Sequence, residues 1–166
     1  MEIIDYNGEG EWTAERIRAR YAAYAAEAGI VPRDLTPVEQ VEGERRWIYP
    51  VMDKVIPGID EGDPGCIRIG IEFIEEDRGF PFGRSLKAKT ARTLGRAPLT
   101  PEQQRWILAR VFWMLRQGNV PREYREYARL ARRIGFRADQ VPAIEPQNEY
   151  VERYCRYFLR EATDGG

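Results

Sequence analysis

Hydrophobic residues recur every three or four positions along most of the chain, and this spacing is typical of amphipathic helices. The segment 13–29 shows it clearly, with Ile17 and Tyr21 on one face. Thr13 is a suitable N-cap, and Gly29 is a suitable C-terminal stop. The pattern therefore predicts a first helix with one buried face.

The segment 100–118 carries the strongest helix signal. Thr100 and Gln103 have the spacing of a capping box, and Pro101 occupies the first helical position. Apolar residues cover most of the circumference of this segment, so we expect a core helix that is buried on more than one side. These residues are Trp106, Ile107, Leu108, Val111, Phe112, Trp113, Met114 and Leu115.

A further helix is predicted from Thr36, because Pro37 follows it and Glu39 completes a second capping box. Pro50 would remove a backbone hydrogen bond, so we expect a kink or a second short helix at that point. The segment 63–78 alternates like a strand but also fits a helix face. Its Asp-Pro start and its glycine-terminated acidic end favour a helix.

Three more helices complete the predicted set. In the segment 121–134, Tyr124 and Tyr127 lie on an apolar stripe and arginines occupy much of the rest. The last helix is expected to bury a tyrosine face. The predicted segments are 84–95 with Leu86, Thr90 and Leu94 inward, 121–134, and 147–161 with Tyr150, Tyr154 and Tyr157 inward.

This pattern predicts an all-α protein with about six to seven helices. The helices form either stacked helical hairpins, which loosely resemble HEAT-type solenoids, or an irregular bundle. No linker rich in Pro, Gly or Ser divides the chain. We therefore expect one domain over 1–166, with an ordered core over about 11–161 and a frayed tail after it.

Composition narrows the classes of function. The 166 residues are 43% hydrophobic and 32% charged, with a net charge of −1, as in an ordinary globular protein. The chain has no histidine, which excludes Ser-His-Asp and Cys-His catalysis and His-ligated zinc. We expect no cofactor, no metal and no membrane partner, and an enzyme is the less favoured interpretation.

The two cysteines, Cys66 and Cys155, lie far apart in sequence and form neither a disulfide framework nor a CxxC pair. A reducing, cytoplasmic location is therefore expected. The N-terminus lacks the apolar core of a signal peptide. We interpret both cysteines as buried small hydrophobic residues, because no histidine is available to activate them. Cys66 follows a predicted helix start, where a thiol pKa could be lowered, so it is the thiol to test.

Charge is distributed unevenly along the chain. The segment 84–137 contains 14 Lys and Arg residues against three acidic residues, whereas 1–83 contains nine against 18. Arginine outnumbers lysine by 23 to three, a bias that extends over the whole chain. Separation of charge on this scale can create a basic face even when the net charge is close to zero.

The stretch 75–96 permits three interpretations. It is a poor phosphate loop, because only three residues separate Gly79 from Gly83 and an arginine replaces the lysine. It could belong to a nucleic-acid surface, with Tyr124 and Tyr127 stacking on bases. The favoured interpretation is a helical hairpin, in which acids at one helix end face cations at the next and Phe80 with Phe82 enters the core.

We therefore predict an interaction or scaffold protein that binds an acidic partner through an arginine-rich helical face, and a homo-oligomer is compatible with this role. The alternative is a nucleic-acid-binding protein that contacts phosphates through 84–137. The acids Glu72, Glu75 and Glu76 are interpreted as a solvated helix end and not as a metal site. The predicted partner-binding residues are Lys87, Lys89, Arg92, Arg122, Arg125, Arg129, Arg132 and Arg133.

Overall fold

A computed structural model describes residues 1–163; residues 164–166, which end the tail expected to fray, lie outside the described residues. Within 1–163 the chain forms seven α-helices and three short strands. The strands are β1 (Glu2–Asp5), β2 (Glu39–Glu42) and β3 (Arg45–Ile48). The helices are α1 (Ala14–Ala28), α2 (Met52–Asp60), α3 (Pro64–Glu75), α4 (Gly83–Leu94), α5 (Pro101–Arg116), α6 (Tyr124–Ile134) and α7 (Glu149–Glu161).

The fold is mostly helical, and the all-α prediction needs correction for a small sheet. Two compact units divide the chain: unit 1, Met1–Pro98, holds the sheet and α1 to α4, and unit 2, from Leu99 onward, holds α5 to α7. The single-domain and HEAT-like predictions stay predictions.

Local capping chemistry produces the predicted helix starts. The Thr13 hydroxyl accepts a hydrogen bond from the Arg16 N–H at 3.2 Å, and Gly29 ends α1 with φ of 68°. Asp63 accepts the first free N–H groups of α3, which confirms a helix in the ambiguous segment. Thr100 begins α5 with the predicted capping box.

The predicted helix from Thr36 is wrong, because this part of the chain forms a β-hairpin. β3 lies in the middle of the sheet, antiparallel to β2 and parallel to β1. Gly43 opens the two-residue turn between β2 and β3 with φ of 59°, a conformation that favours glycine and suits a tight hairpin. The short helix expected after Pro50 is present as α2.

Helix α3 forms the centre of unit 1, since α1, α2 and α4 all pack against it. A Cβ atom at Gly70 would lie 2.6 Å from Ile59 Cδ1 and 3.3 Å from Thr90 Cγ2. Only glycine lets α2 and α4 approach α3 this closely. The predicted inward face of α4 is confirmed, because Leu86, Thr90 and Leu94 are buried.

Helices α3 and α4 form an antiparallel hairpin, because Lys87 reaches the C-terminal end of α3 while Thr90 packs near Gly70. The ion pairs in the structure differ from the expected pairing of acids at the end of α3 with cations at the start of α4. Glu72 bonds to side chains of α1, and not to α4. Phe80 packs against the rings of Trp12 and Phe73, but Phe82 lies on the surface.

In unit 2, α5 buries one broad face, whereas burial on more than one side was expected. Trp106 and Trp113 are 49% and 46% exposed. Periodicity alone could not reveal this, because both tryptophans fit an apolar helix. Helix α7 buries Val151 and Phe158, whereas Tyr150, expected inside, is exposed.

Candidate functional site

Arginines on one side of α6 form the most distinctive charged surface of unit 2. Arg125, Arg129, Arg132 and Arg133 are exposed. At 100° per residue, these four positions fall within an arc of about 100°. Arg122, in the turn before α6, extends the same side and is also exposed. We call these five residues the α6 arginine face.

The opposite side of α6 fixes this orientation. Tyr124, Tyr127 and Ala131 are buried, and the Tyr124 hydroxyl donates a 2.7 Å hydrogen bond to the Val111 carbonyl of α5. This anchoring keeps the arginines turned outward. The suggestion that Tyr124 and Tyr127 stack on bases is wrong, because their rings lie inside unit 2. Ile134, expected inside, is half-buried.

The α6 arginine face has little internal neutralisation. Arg129 pairs with Glu126 at 3.1 Å, and Glu126 is itself buried. Among the described residues, the guanidinium groups of Arg122, Arg125, Arg132 and Arg133 make no ion pair. Most of the positive charge therefore remains available to a partner.

Helix α7 adds Arg153 and Tyr154 beside this face. The Tyr154 ring lies edge-on against Tyr124, with 4.8 Å between centroids. Partial burial raises the pKa of Tyr154, and the positive charges of Arg125, Arg153 and Arg129 act in the opposite direction. The Arg153 guanidinium group also lies over the Tyr150 ring, 5.9 Å from its centroid.

Sequence reasoning did not identify Arg153 or Tyr154 as part of the site. A signal was present, because Arg153 directly precedes Tyr154 on a helix whose tyrosines were already expected to pack inward. The tyrosine face of α7 could have met any other helix, and only the packing of α7 against α6 places Tyr154 next to Tyr124. That packing cannot be read from helical spacing.

The other predicted partner-binding residues lie on α4, in unit 1. Lys89 and Arg92 are exposed. Lys87 is only 6% exposed, and its ammonium group donates to the Glu76 carbonyl oxygen and lies 5.7 Å from the centroid of the Phe73 ring. This placement corrects the expectation for Lys87, since its charge stabilises the end of α3. The candidate site therefore lies on α6 and α7.

Neither a reactive thiol nor a metal site gains support from the described part of the structure. Cys66 is buried, which confirms its interpretation as a small hydrophobic residue. Burial raises its pKa to about 12, and Asp63 adds to the shift, so the alternative of a lowered thiol pKa is wrong. The N-terminal position on α3 cannot offset the loss of water around the sulfur. Among the described residues, no group of three His, Cys, Asp or Glu side chains could hold a metal ion.

An apolar recess in unit 1 is lined by Trp12, Phe73 and Phe80, with Asn7 in its wall. The side-chain amide oxygen Oδ1 of Asn7 accepts a hydrogen bond from the Val51 N–H at 2.8 Å. None of the described residues lining the recess carries a charge. The recess therefore offers shape and apolar contact but no acid–base pair.

Comparison of the chain with protein-family models, with curated proteins and with solved structures found no match. None of the helices in 1–163 is long and apolar enough to cross a membrane. A function for this chain therefore has to be inferred from the arrangement of residues in the site.

Proposed function

We propose that this chain is a non-enzymatic interaction protein that binds an acidic protein partner through the α6 arginine face. The observation that carries the proposal is a set of exposed arginines on one helical side, four of which make no ion pair among the described residues. Arginine suits this role because its planar group can hold a carboxylate with two parallel hydrogen bonds.

The charge pattern has a cost that a partner would remove. Arg125 and Arg129, and Arg129 and Arg133, are four residues apart, and like charges at this spacing destabilise a helix by about 0.2–0.5 kcal/mol per pair. Arg132 and Arg133 lie near the C-terminus of α6, where the helix dipole favours cations. Arg125 lies near the N-terminus, where the dipole opposes them. The dipole therefore does not account for the whole face.

The structure also bears on which acidic partner to prefer. The nucleic-acid alternative through 84–137 counted Lys87 among its phosphate contacts and Tyr124 and Tyr127 as candidate stacking groups, and these three side chains are buried. An acidic protein surface needs only the outward guanidinium groups. We keep nucleic acid as an outcome of the test.

The cytoplasm remains our proposed compartment, because Cys66 and Cys155 are both free thiols and the fold needs no disulfide. A homo-oligomer is a further proposal, in which the acidic partner is a second copy. Measurement of the mass in solution, with and without added salt, tests it directly.

The binding test uses a labelled glutamate-rich peptide and fluorescence anisotropy. The informative variant changes Arg125, Arg132 and Arg133 to Gln, and it leaves Arg129 because of its pair with Glu126. Loss of three surface charge contacts should weaken binding by roughly 30-fold, and added salt should weaken binding by the unchanged protein.

The matched control changes three other exposed arginines of unit 2, Arg105, Arg116 and Arg156, to Gln. It alters the net charge by the same amount and should retain binding within about threefold of the unchanged protein. Equal loss in both variants would mean that total charge, and not this face, attracts the peptide. Tighter binding to a single-stranded oligonucleotide than to the peptide would favour the nucleic-acid alternative.

A further inference from the structure

One part of the α6 arginine face differs from the rest because two helices contribute to it. Arg125 and Arg129 lie one turn apart on α6, while Arg153 and Tyr154 lie on α7. The edge-on packing of Tyr154 against Tyr124 holds the two helices together at this point. We call Arg125, Arg129, Arg153 and Tyr154 the α6–α7 site.

The side chains of this site remain accessible to a ligand. Arg125, Arg129 and Arg153 are exposed, and Tyr154 is half-buried. Within the described residues, the Tyr154 hydroxyl makes no hydrogen bond. The three guanidinium groups supply positive charge, and the hydroxyl of a ring held against Tyr124 supplies a further hydrogen-bond donor.

The net charge of the α6–α7 site suits one class of anion better than others. Three arginines contribute three positive charges, and Glu126, which pairs with Arg129, contributes one negative charge. The difference is two positive charges. A phosphate monoester carries about −1.5 to −2 at neutral pH and has three acceptor oxygens. A carboxylate or a phosphodiester carries a single negative charge.

We infer that the α6–α7 site binds a phosphate monoester on the partner, a phosphorylated serine, threonine or tyrosine side chain. This inference rests on the proposed function and adds to it the chemical group that the acidic partner presents. Arg125, Arg129 and Arg153 hold the phosphate oxygens, and the Tyr154 hydroxyl donates a further hydrogen bond.

The comparison of two labelled peptides tests this assignment. One peptide contains a single phosphoserine within a glutamate-rich sequence, and the other replaces the phosphoserine by two glutamates, so that the charge is retained. At pH 7.5 the phosphoserine peptide should bind roughly tenfold more tightly, because one dianion can engage all three arginines at once.

A pH series adds a readout that is independent of total charge. The second pKa of a phosphate monoester is about 6, so its charge falls between pH 7.5 and pH 5.5, whereas arginine stays protonated. Glu126 and Tyr154 are the titratable groups that face the site, and the glutamate peptide reports any change in them. The tenfold preference should shrink to about twofold at pH 5.5.

Single variants test the assignment of residues. Arg125→Gln and Arg153→Gln should each weaken phosphoserine binding by roughly tenfold, because each removes charge-assisted hydrogen bonds. Tyr154→Phe keeps the ring against Tyr124 and should cost roughly threefold. Arg156→Gln, on the same helix and paired with Glu152, is the matched control and should stay within twofold.

The outcomes separate this inference from the proposed function. Equal binding of both peptides at both pH values would overturn the phosphate assignment and leave the acidic-partner proposal standing. Binding of neither peptide would reject both. If Arg153→Gln bound the phosphoserine peptide as well as Arg156→Gln does, the α6–α7 site would be wrong even if α6 binds acids. Thermal unfolding of each variant shows that it is folded.

Discussion

The arginines of the two units behave differently although the residue is the same. In unit 1, Arg20 and Arg68 join α1 to α3, because Arg20 pairs with Glu72 and Arg68 with Glu27 at 2.8 Å. In unit 2 the ion pairs of Arg129 with Glu126, Arg137 with Asp139, Arg156 with Glu152 and Arg160 with Glu161 each join residues close in sequence. On the α6 arginine face, Arg122, Arg125, Arg132 and Arg133 have no acid partner among the described residues.

This difference shows how charge divides between stability and binding. Arg20 of unit 1 is 19% exposed and lies over the Trp12 ring at 4.5 Å, so water screens its charge only in part. The arginines of α6 are surrounded by water, where an isolated charge contributes little to folding. The first kind of arginine joins helices, and the second kind is exposed to solvent.

The largest expected effect on stability is that of Arg20→Ala. This change removes the contact to Glu72, a hydrogen bond to the Glu11 carbonyl and the packing on Trp12. We expect unit 1 to lose about 2 kcal/mol of unfolding free energy, measured by denaturant titration with hydrogen exchange to separate the units. A loss below about 0.5 kcal/mol would remove the contrast between the units.

A smaller effect is expected for Arg68→Ala. Arg68 stacks on the Tyr24 ring at 3.7 Å, but its pair with Glu27 is largely exposed to water. We expect a loss of about 1 kcal/mol, most of it from stacking. Arg68→Met, which retains the apolar stem, should recover part of the loss. If Glu27→Gln cost as much as Arg68→Ala, the ion pair would be the main contribution.

The dependence of the unfolding free energy on acidic pH should also differ between the two units. The pKa of Glu76 lies below its usual 4.5, first because the Arg78 backbone N–H donates a hydrogen bond to its carboxylate. The Trp12 indole N–H and nearby cations lower this pKa further. A lowered folded-state pKa stabilises the fold above 4.5, and this contribution is lost as pH falls through the folded-state value. Unit 1 should therefore weaken below pH 4.5. In Glu76→Gln this part of the pH dependence should disappear.

The smallest effect is expected on α6 itself. Arg125→Gln removes a cation from the N-terminal end of the helix and a like-charge neighbour of Arg129. Unit 2 should change by less than about 0.5 kcal/mol, in the stabilising direction. Arg132→Gln is the matched comparison, and it should gain less stability because Arg132 lies near the C-terminal end of α6, where the helix dipole favours a cation. A clear destabilisation by Arg125→Gln would give this arginine a structural role.

The success of sequence reasoning followed the range of the interactions involved. Thr13, Asp63 and Thr100 bond to N–H groups within three residues, so their helices were predicted correctly. The hairpin of β2 and β3 was missed, because Thr36, Pro37 and Glu39 imitate a capping box. Pairing with β1, more than 30 residues away, stabilises that hairpin and left no local signal.

The same limit applied to the candidate site. The spacing of the arginines along α6 was visible, and it correctly placed them outward opposite Tyr124 and Tyr127. The burial of Lys87 was not visible, because it depends on the end of α3 meeting α4. Arg153 and Tyr154 entered the site only through the packing of α7 on α6.

The sequence by itself determined the helix starts and the single arginine side of α6, since capping bonds and helical periodicity act over a few residues. Tertiary structure decided which charges are paired and which remain exposed to a partner. An arginine loses its surrounding water and meets an acid only when two distant segments pack together, and no local pattern specifies that meeting.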